Sequence, residues 1–278
     1  MIMTENNTLS LSVYDRGLHY GDGLFETYAV QQIPLCWAWH GERLQAGCQR
    51  LGFPPPDLPQ LYQQAIQVIP STPRSVLKLL ITRGVGGRGY RPPQPAHPQY
   101  IWLSYPYPDY PADYAQTGVT IRICETRLAR QPQLAGLKHL NRLEQVLARQ
   151  EWHETDIAEG LMLDTADNVI EGTMTNLFLV KGQTLHTPDL SHAGIAGIMR
   201  RAILTLAPQL GYTVVQGQYR ITDCLNADEI LLTNSIIGLW TVRQLNNRYY
   251  TVGTVSQTLR HHLRQQQWMI NDAECPPT

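Results

Sequence analysis

Lysine is scarce in this chain, so each one is informative. Of 22 basic residues only Lys78, Lys138 and Lys181 are lysines. An amine differs from a guanidinium in that it can lose its proton near neutral pH and attack a carbonyl. Lys78 lies inside SVLKLLITR, on the alternate face from Leu77 and Leu79. Lys181 occupies a KG turn, where a solvated lysine needs no further explanation. Lys138, in LAGLKHLNRLEQV, follows Gly136 and precedes Leu140, Leu143, Val146 and Leu147 at helical spacing. That pattern predicts a helix with Lys138 at its mouth and the four apolar residues on its packed face. The partial positive charge of a helix start would lower the amine's pKa and make it a better nucleophile. A solvated lysine at a helix start is the plain alternative.

Further groups fit a charged small molecule. Glu171 lies in VIEGTMTNLF beside Gly172. A carboxylate next to a glycine in an apolar strand suggests close approach by a ligand, against the simpler reading of an outward-facing strand residue. GIAGIMRR opens a helix with small residues at Gly194, Ala196 and Gly197. Helix-start N–H groups attract anions, although close packing also asks for small residues. LLTNS ends a strand in Thr233, Asn234 and Ser235, and Arg43 in an early helix offers a second phosphate donor. GVGGRG, residues 84–89, matches a dinucleotide fingerprint only formally, because YRPPQP after it cannot be the required helix. The loop instead presents Arg83, Arg88 and Arg91, as a carboxylate clamp or as mobile surface. Walker A, nucleophile-elbow and metal-ligand motifs are absent from the sequence.

The elements that must position these groups read as mixed helix and strand. DRGLHYGDGLFETYAV sits behind a period-2 stretch, LSLSV, and breaks into a loop at Gly17, Gly21 and Gly23 before a strand. WHGERLQAGCQRLGF is a helix stopped at Gly52, and DLPQLYQQAIQVI a helix capped by Asp57. SVLKLLITR, QYIWLSYPY, VTIRICETR, EGLMLD, VIEGTMTNLFLV, QTLHTP and ADEILLTNS read as strands. IAGIMRRAILTLAPQLG and VSQTLRHHLRQQQW are helices, and the tail NDAECPPT is expected to fray. The Pro/Tyr-rich run SYPYPDYPADYAQTG has no period and reads as a linker. Helices and strands mixed without a regular βαβ cadence predict an α+β, two-domain chain: a smaller domain over 1–104, a linker over 105–118 and a larger domain over 119–278.

Composition narrows the class. A net charge of −1 over 278 residues offers no field for nucleic acid or an anionic membrane. The start MIMTENNTLS has no signal-peptide pattern, and no apolar run is long enough to span a bilayer. Five scattered cysteines without CxxC spacing argue against a disulfide framework or structural zinc, and for a cytoplasmic setting.

Six stretches, in order, carry a resemblance: DRGLHYGDGLFET, TRGVGGRGY, LAGLKHLNRLEQV, EGTMTNLF, TPDLSHAGIAGIMRR and ADEILLTNS. Together they resemble the fold-type IV pyridoxal-phosphate enzymes, the class of branched-chain and D-amino-acid aminotransferases. The second and third are similar to the branch that cleaves aminodeoxychorismate to 4-aminobenzoate and pyruvate for folate biosynthesis. The resemblance implies that Lys138 joins covalently to pyridoxal 5'-phosphate and that Glu171 bonds its pyridine nitrogen. It implies that Arg43, the Ile195–Ala196 backbone and Ser235 hold the phosphate, with Asn234 also in contact with the cofactor. Arg142 takes roughly the place where aminotransferases put a tyrosine facing the phenolic oxygen, which favours the lyase. Arg83 or Arg88 is the candidate for a substrate carboxylate, with Thr27 as a further substrate contact. A homodimer is also implied. A D-amino-acid or branched-chain aminotransferase, or a non-catalytic binding protein with the same fold, are the competing readings.

Overall fold

The computed structural model describes residues 10–111 and 114–271. The expected frayed tail from 272 onward lies outside the described residues. The chain divides into two compact units. One runs up to Tyr107 and also takes Leu137–Asn141; the other holds Pro108–Gly136 and Arg142–Asn271. The segment around Lys138 therefore belongs to the first unit although its sequence neighbours on both sides belong to the second. The stretch 105–118 is not a featureless linker. A strand reaches Pro106, and Tyr114–Thr117 form a helical turn.

The first unit contains α1 (Arg16–Tyr20), β1 (Gly23–Gln31), β2 (Ile33–Pro34), α2 (Trp37–Leu51), α3 (Leu58–Val68), β3 (Ser75–Thr82) and β4 (Gln99–Pro106). The strands form an antiparallel sheet in the order β2-β1-β3-β4. Alternation gives the sheet two faces. Leu24, Tyr28, Leu77, Leu79, Ile81 and Trp102 bury against Leu44, Cys48, Leu61 and Ala65 of α2 and α3. Phe25, Thr27, Lys78, Leu80 and Leu103 register together on the other face. α3 starts where the Asp57 side chain accepts from Gln60 N at 3.1 Å, and α2 stops where Gly52 turns left-handed at φ 70°.

Two expectations fail here for local reasons. Residues 10–14 are not a strand, and the expected loop at Gly17 is α1 instead. The Asp15 side chain accepts from Gly17 N at 2.8 Å and Leu18 N at 3.3 Å, which nucleates a helical turn. Lys138 is not at the mouth of a helix. Gly136 turns the chain at φ 81°, and the segment then runs beside β1. Phe25 N donates to Lys138 O at 2.9 Å, and Leu140 N to Gly23 O at 3.0 Å. The next helix starts only at Leu143, so Lys138 is not in its first turn.

The second unit contains α4 (Tyr114–Thr117), β5 (Val119–Leu128), α5 (Leu143–Arg149), β6 (Ile157–Asp164), β7 (Val169–Gly172), β8 (Asn176–Lys181), β9 (Thr184–Pro188), α6 (Ile198–Leu206), β10 (Thr213–Gly217), α7 (Ile221–Leu225), β11 (Glu229–Asn234), β12 (Gly238–Leu245), β13 (Arg248–Tyr249) and α8 (Thr254–Gln265). Its strands form one mixed sheet in the order β10-β9-β8-β11-β12-β5-β6-β7, with β13 on β12. Leu161, Leu177, Ile230, Leu232, Val242 and Leu245 centre its core. VIEGTMTNLFLV is two strands, β7 and β8, not one. On α5 the expected packed face is open: Leu143 is 75% exposed, Leu147 55% and Val146 49%, while Ala148 is buried.

Candidate active site

In the first unit the chemistry gathers on both sides of β1. Backbone pairing fixes Lys138, and its Nζ lies 4.1 Å from the centroid of the Phe25 ring. Lys78 Nζ lies 5.2 Å from the same ring. Two amines thus share one aromatic surface on the open face, with Thr27 in register with Lys78. The sequence reading passed over Lys78; its alternation with Leu77 and Leu79 was the available signal.

On the covered face, Glu26 is buried and holds Arg43 and His40. Arg43 Nε donates to Glu26 Oε1 at 2.8 Å, and Arg43 Nη2 to Oε2. His40 Nδ1 lies 2.6 Å from Glu26 Oε2. Burial alone would raise the Glu26 carboxyl, but the Arg43 charge and the His40 contact outweigh it and hold it at about 2. Burial pushes His40 down, and the nearby positive charges of Arg43 and Lys138 act the same way. At neutral pH the ionised Glu26 can only accept, so the neutral His40 donates from Nδ1. The two-pronged grip makes Arg43 a rigidly aimed cation rather than a solvated helix arginine.

In the second unit the centre is Glu171, buried at the end of β7 and not facing solvent. Its Oε2 accepts from Ile195 N at 2.8 Å and from Asn176 Nδ2 at 3.4 Å. Arg142, the residue before α5, and Arg200 in the first turn of α6 both feel its charge. Burial lowers both guanidinium pKa values, and Glu171 opposes that. The turn between β7 and β8 is held from below by Glu159. Its carboxyl accepts from Gly160 N, Thr173 N, Thr173 Oγ1, Met174 N and Thr175 Oγ1. Asn234 joins the end of β11 to that turn. Its Nδ2 donates to Met174 O at 3.1 Å, and its Oδ1 accepts from Ile236 N and Ile237 N. Ser235 follows it, half-buried.

Three assignments change. Ile195 N–H is given to the Glu171 carboxylate and Ala196 N–H to Gly136 O at 3.1 Å, so both amides already have partners within the protein. The first amides of α6, which have no acceptor within the helix, come later, at Ile198 and Met199, because Gly197 and not Gly194 is the residue before α6. The sequence signal was the Gly197-Ile198 step itself. Arg83 is buried and committed: Nε to Asp22 at 2.8 Å, Nη1 to Gly52 O at 2.9 Å and Nη2 to Leu51 O at 2.6 Å. It closes the C-terminal end of α2 rather than facing a substrate. Arg88 is exposed in its loop. Arg16, which the sequence reading missed, anchors that loop by donating to Gly89 O and Tyr90 O, both at 3.0 Å.

Taken unit by unit, the donor types suit different groups. In the first unit Lys138 suits an aldehyde and Arg43 an anion; in the second, buried Glu171 suits a protonated ring nitrogen and the start of α6 an anion. Among the described residues no cluster of His, Cys, Asp or Glu forms a metal site.

A model of the amino-transferase class IV family matches residues 23–245, from the first residue of β1 to the last of β12. The chain belongs to the class IV aminotransferase family. It is 37% identical over 254 residues to an aminodeoxychorismate lyase of Vibrio harveyi, covering 90% of this chain and 94% of that one. The crystal structure of 4-amino-4-deoxychorismate lyase from Pseudomonas aeruginosa superposes with a TM-score of 0.88 at 46% identity, over 93% of this chain and 96% of that one. A hypothetical aminotransferase of Mycobacterium tuberculosis, solved with alpha-ketoglutarate and PMP bound, superposes with a TM-score of 0.81 over 94% of each chain. At 21% identity that last likeness shows the class IV fold alone. The two-domain α+β architecture is therefore the class IV one.

Proposed function

We propose that the protein converts 4-amino-4-deoxychorismate to 4-aminobenzoate and pyruvate in folate biosynthesis, with pyridoxal 5'-phosphate bound at Lys138. The observation that carries this reading is Lys138 itself. Pairing to β1 fixes its backbone and lays its amine over Phe25, in a chain 46% identical to a lyase of that name.

Pyridoxal phosphate, when bound, supplies an electron sink for charge left by a departing proton. The residues do the rest. Arg43, held by Glu26, the amides of Ile198 and Met199, and Ser235 would be the residues to hold the phosphate. Glu171 would accept from the pyridine nitrogen and keep it protonated. Lys138 Nζ takes the proton from the amine-bearing ring carbon of the substrate. It returns a proton to the enolpyruvyl group, which leaves as pyruvate while the ring becomes aromatic. Lys78 Nζ, over the Phe25 ring as Lys138 Nζ is, would bind one substrate carboxylate and Arg88 the other, with Thr27 as a further contact.

The test is formation of 4-aminobenzoate from aminodeoxychorismate by purified protein, with borohydride fixing the cofactor to the peptide that contains Lys138. No product, and a label elsewhere or absent, overturns the proposal. Conversion of the cofactor to its amine form by an amino acid would instead favour an aminotransferase, which the more distant likeness supports less well. Folded protein that binds no cofactor would favour a binding role.

We also place the protein in the cytoplasm as a homodimer. Cys36, Cys48, Cys124 and Cys224 are not in disulfides, which suits a reducing setting. The open Leu143, Val146 and Leu147 face of α5 supports a covering partner. Sedimentation at micromolar concentration should show a dimer; a monomer would remove that part.

A further inference from the structure

Glu171 is held from both sides by one residue that the reaction itself does not require. Asn176 opens β8 and is buried at 6% exposure. Its Nδ2 donates to Ile195 O at 2.8 Å and reaches Glu171 Oε2 at 3.4 Å. The amide of that same Ile195 donates to Glu171 Oε2 at 2.8 Å. Asn176, Glu171 and Ile195 thus close a small ring in which each touches the other two. The other end of the Asn176 amide faces Gly197. A Cβ added at Gly197 would come within 2.0 Å of Asn176 Oδ1. Gly197 has φ −69°, ordinary for any residue, so its glycine is needed here for space and not for backbone freedom. Gly197 is also the residue before α6, whose first amides are the proposed phosphate donors.

We propose that Asn176 is a positioning residue: it locks the Glu171 carboxylate and the start of α6 in one register, so that the ring-nitrogen contact and the phosphate contact are set together. The inference rests on the pyridoxal-phosphate reading above. The chemistry asks for a neutral amide at this place. Aspartate would set a second carboxylate against Glu171, and leucine would remove one donor from both Ile195 O and Glu171 in a buried setting. Glu159 supports the arrangement from the far side, since the turn it caps joins Glu171 to Asn176.

The test uses Asn176→Ala, Asn176→Asp and Gly197→Ala in the full chain. Apoprotein melting is the fold control, and pyridoxal 5'-phosphate is the probe. Each variant should bind the probe about tenfold or more weakly, the effect of one lost buried hydrogen bond to a charged group. The pH midpoint of the bound cofactor's visible band should also move, with Asn176→Asp moving it furthest. Gly197→Ala should reproduce the Asn176→Ala shift, because it displaces the same side chain. In a Glu171→Gln background, Asn176→Ala should shift the band by much less than alone, as expected if it acts through Glu171. Variants that melt like wild type and keep its affinity and spectral midpoint would overturn the positioning role. So would a shift of undiminished size in the Glu171→Gln background. If wild-type protein binds no cofactor at all, the functional reading fails first, and that result is visible before any variant is made.

Discussion

The two regions that carry the candidate chemistry are built on opposite plans. Around Lys138 the first unit relies on charge: Lys78 and Lys138 over Phe25, Arg43 gripped by Glu26, and Asp22 between Arg16 and Arg83. Around Glu171 the second unit relies on hydrogen bonds from neutral groups, namely Ile195 N, Asn176 Nδ2 and the Thr173–Thr175 turn on Glu159. The difference follows from what each must do. A long-stemmed amine on an open sheet face can swing and exchange protons. A buried carboxylate in a hydrogen-bonded ring holds one direction. Under the proposed function the first region would supply the moving part and the second the fixed frame.

The sharpest way to break that contrast is Lys138→Ala. It removes the only group assigned to move a proton, and turnover should fall by a factor on the order of a thousand or more. Melting should hardly change, because backbone atoms make the pairing to β1. Lys138→Arg should be equally inactive while keeping the positive charge. Turnover above a tenth of wild type in either variant would show that another group does the work.

How far the sequence carried this is plain at that residue. Residue type and local pattern marked Lys138, Glu171 and Arg43 as candidates with plain alternatives, the resemblance singled them out, and the strands followed from alternation. The environment of Lys138 was not. Its extended conformation depends on Gly23 and Phe25, more than a hundred residues away, and a helical spacing of leucines cannot reveal a competing backbone partner. The same holds for Ile195, whose amide looked available until Glu171 claimed it. Arg83 looked like a loop cation only because its acceptors, Leu51 and Gly52, lie at the end of a distant helix. Side-chain identity was readable; the destination of each hydrogen bond was not.

Arg83 gives the next largest effect, and on stability rather than chemistry. Arg83→Ala leaves Asp22 with Arg16 alone and two helix-end carbonyls without their donor. A loss of about 3 kcal/mol is expected in denaturant unfolding. If kcat/KM falls while stability holds, the structural role is wrong and the substrate role returns.

Lys78→Met tests the charged plan more gently. The methionine keeps the apolar stem over Phe25 and removes one carboxylate partner. KM for aminodeoxychorismate should rise about tenfold, in line with one charge-assisted hydrogen bond, with little change in kcat. Arg88→Ala should act in the same direction and leave melting unchanged, since the side chain is exposed. An unchanged KM in either variant would remove that residue from the substrate contacts.

The smallest effect is a difference in how the regions answer pH, best read by hydrogen exchange of separate peptides. Glu26 is held at about 2 and His40 below its ordinary 6.5. Both bind protons more readily when unfolded, so the stability they lend is full above those ordinary values. It should drain away as pH falls below 6.5, and faster below 4.5. Glu159 runs the other way. Burial raises its carboxyl despite the donors from Thr173, Gly160, Met174 and Thr175. Its contribution is present at low pH and is lost as pH rises through that raised value. Lowering pH from 7 should therefore loosen peptides of β1 and α2 while those of β6 and the turn after β7 hold or tighten. Glu159→Gln should flatten the response of the second set and leave the first untouched. Parallel loosening of both sets on acidification would mean that the contrast between a charge-built and an amide-built region does not extend to their energetics.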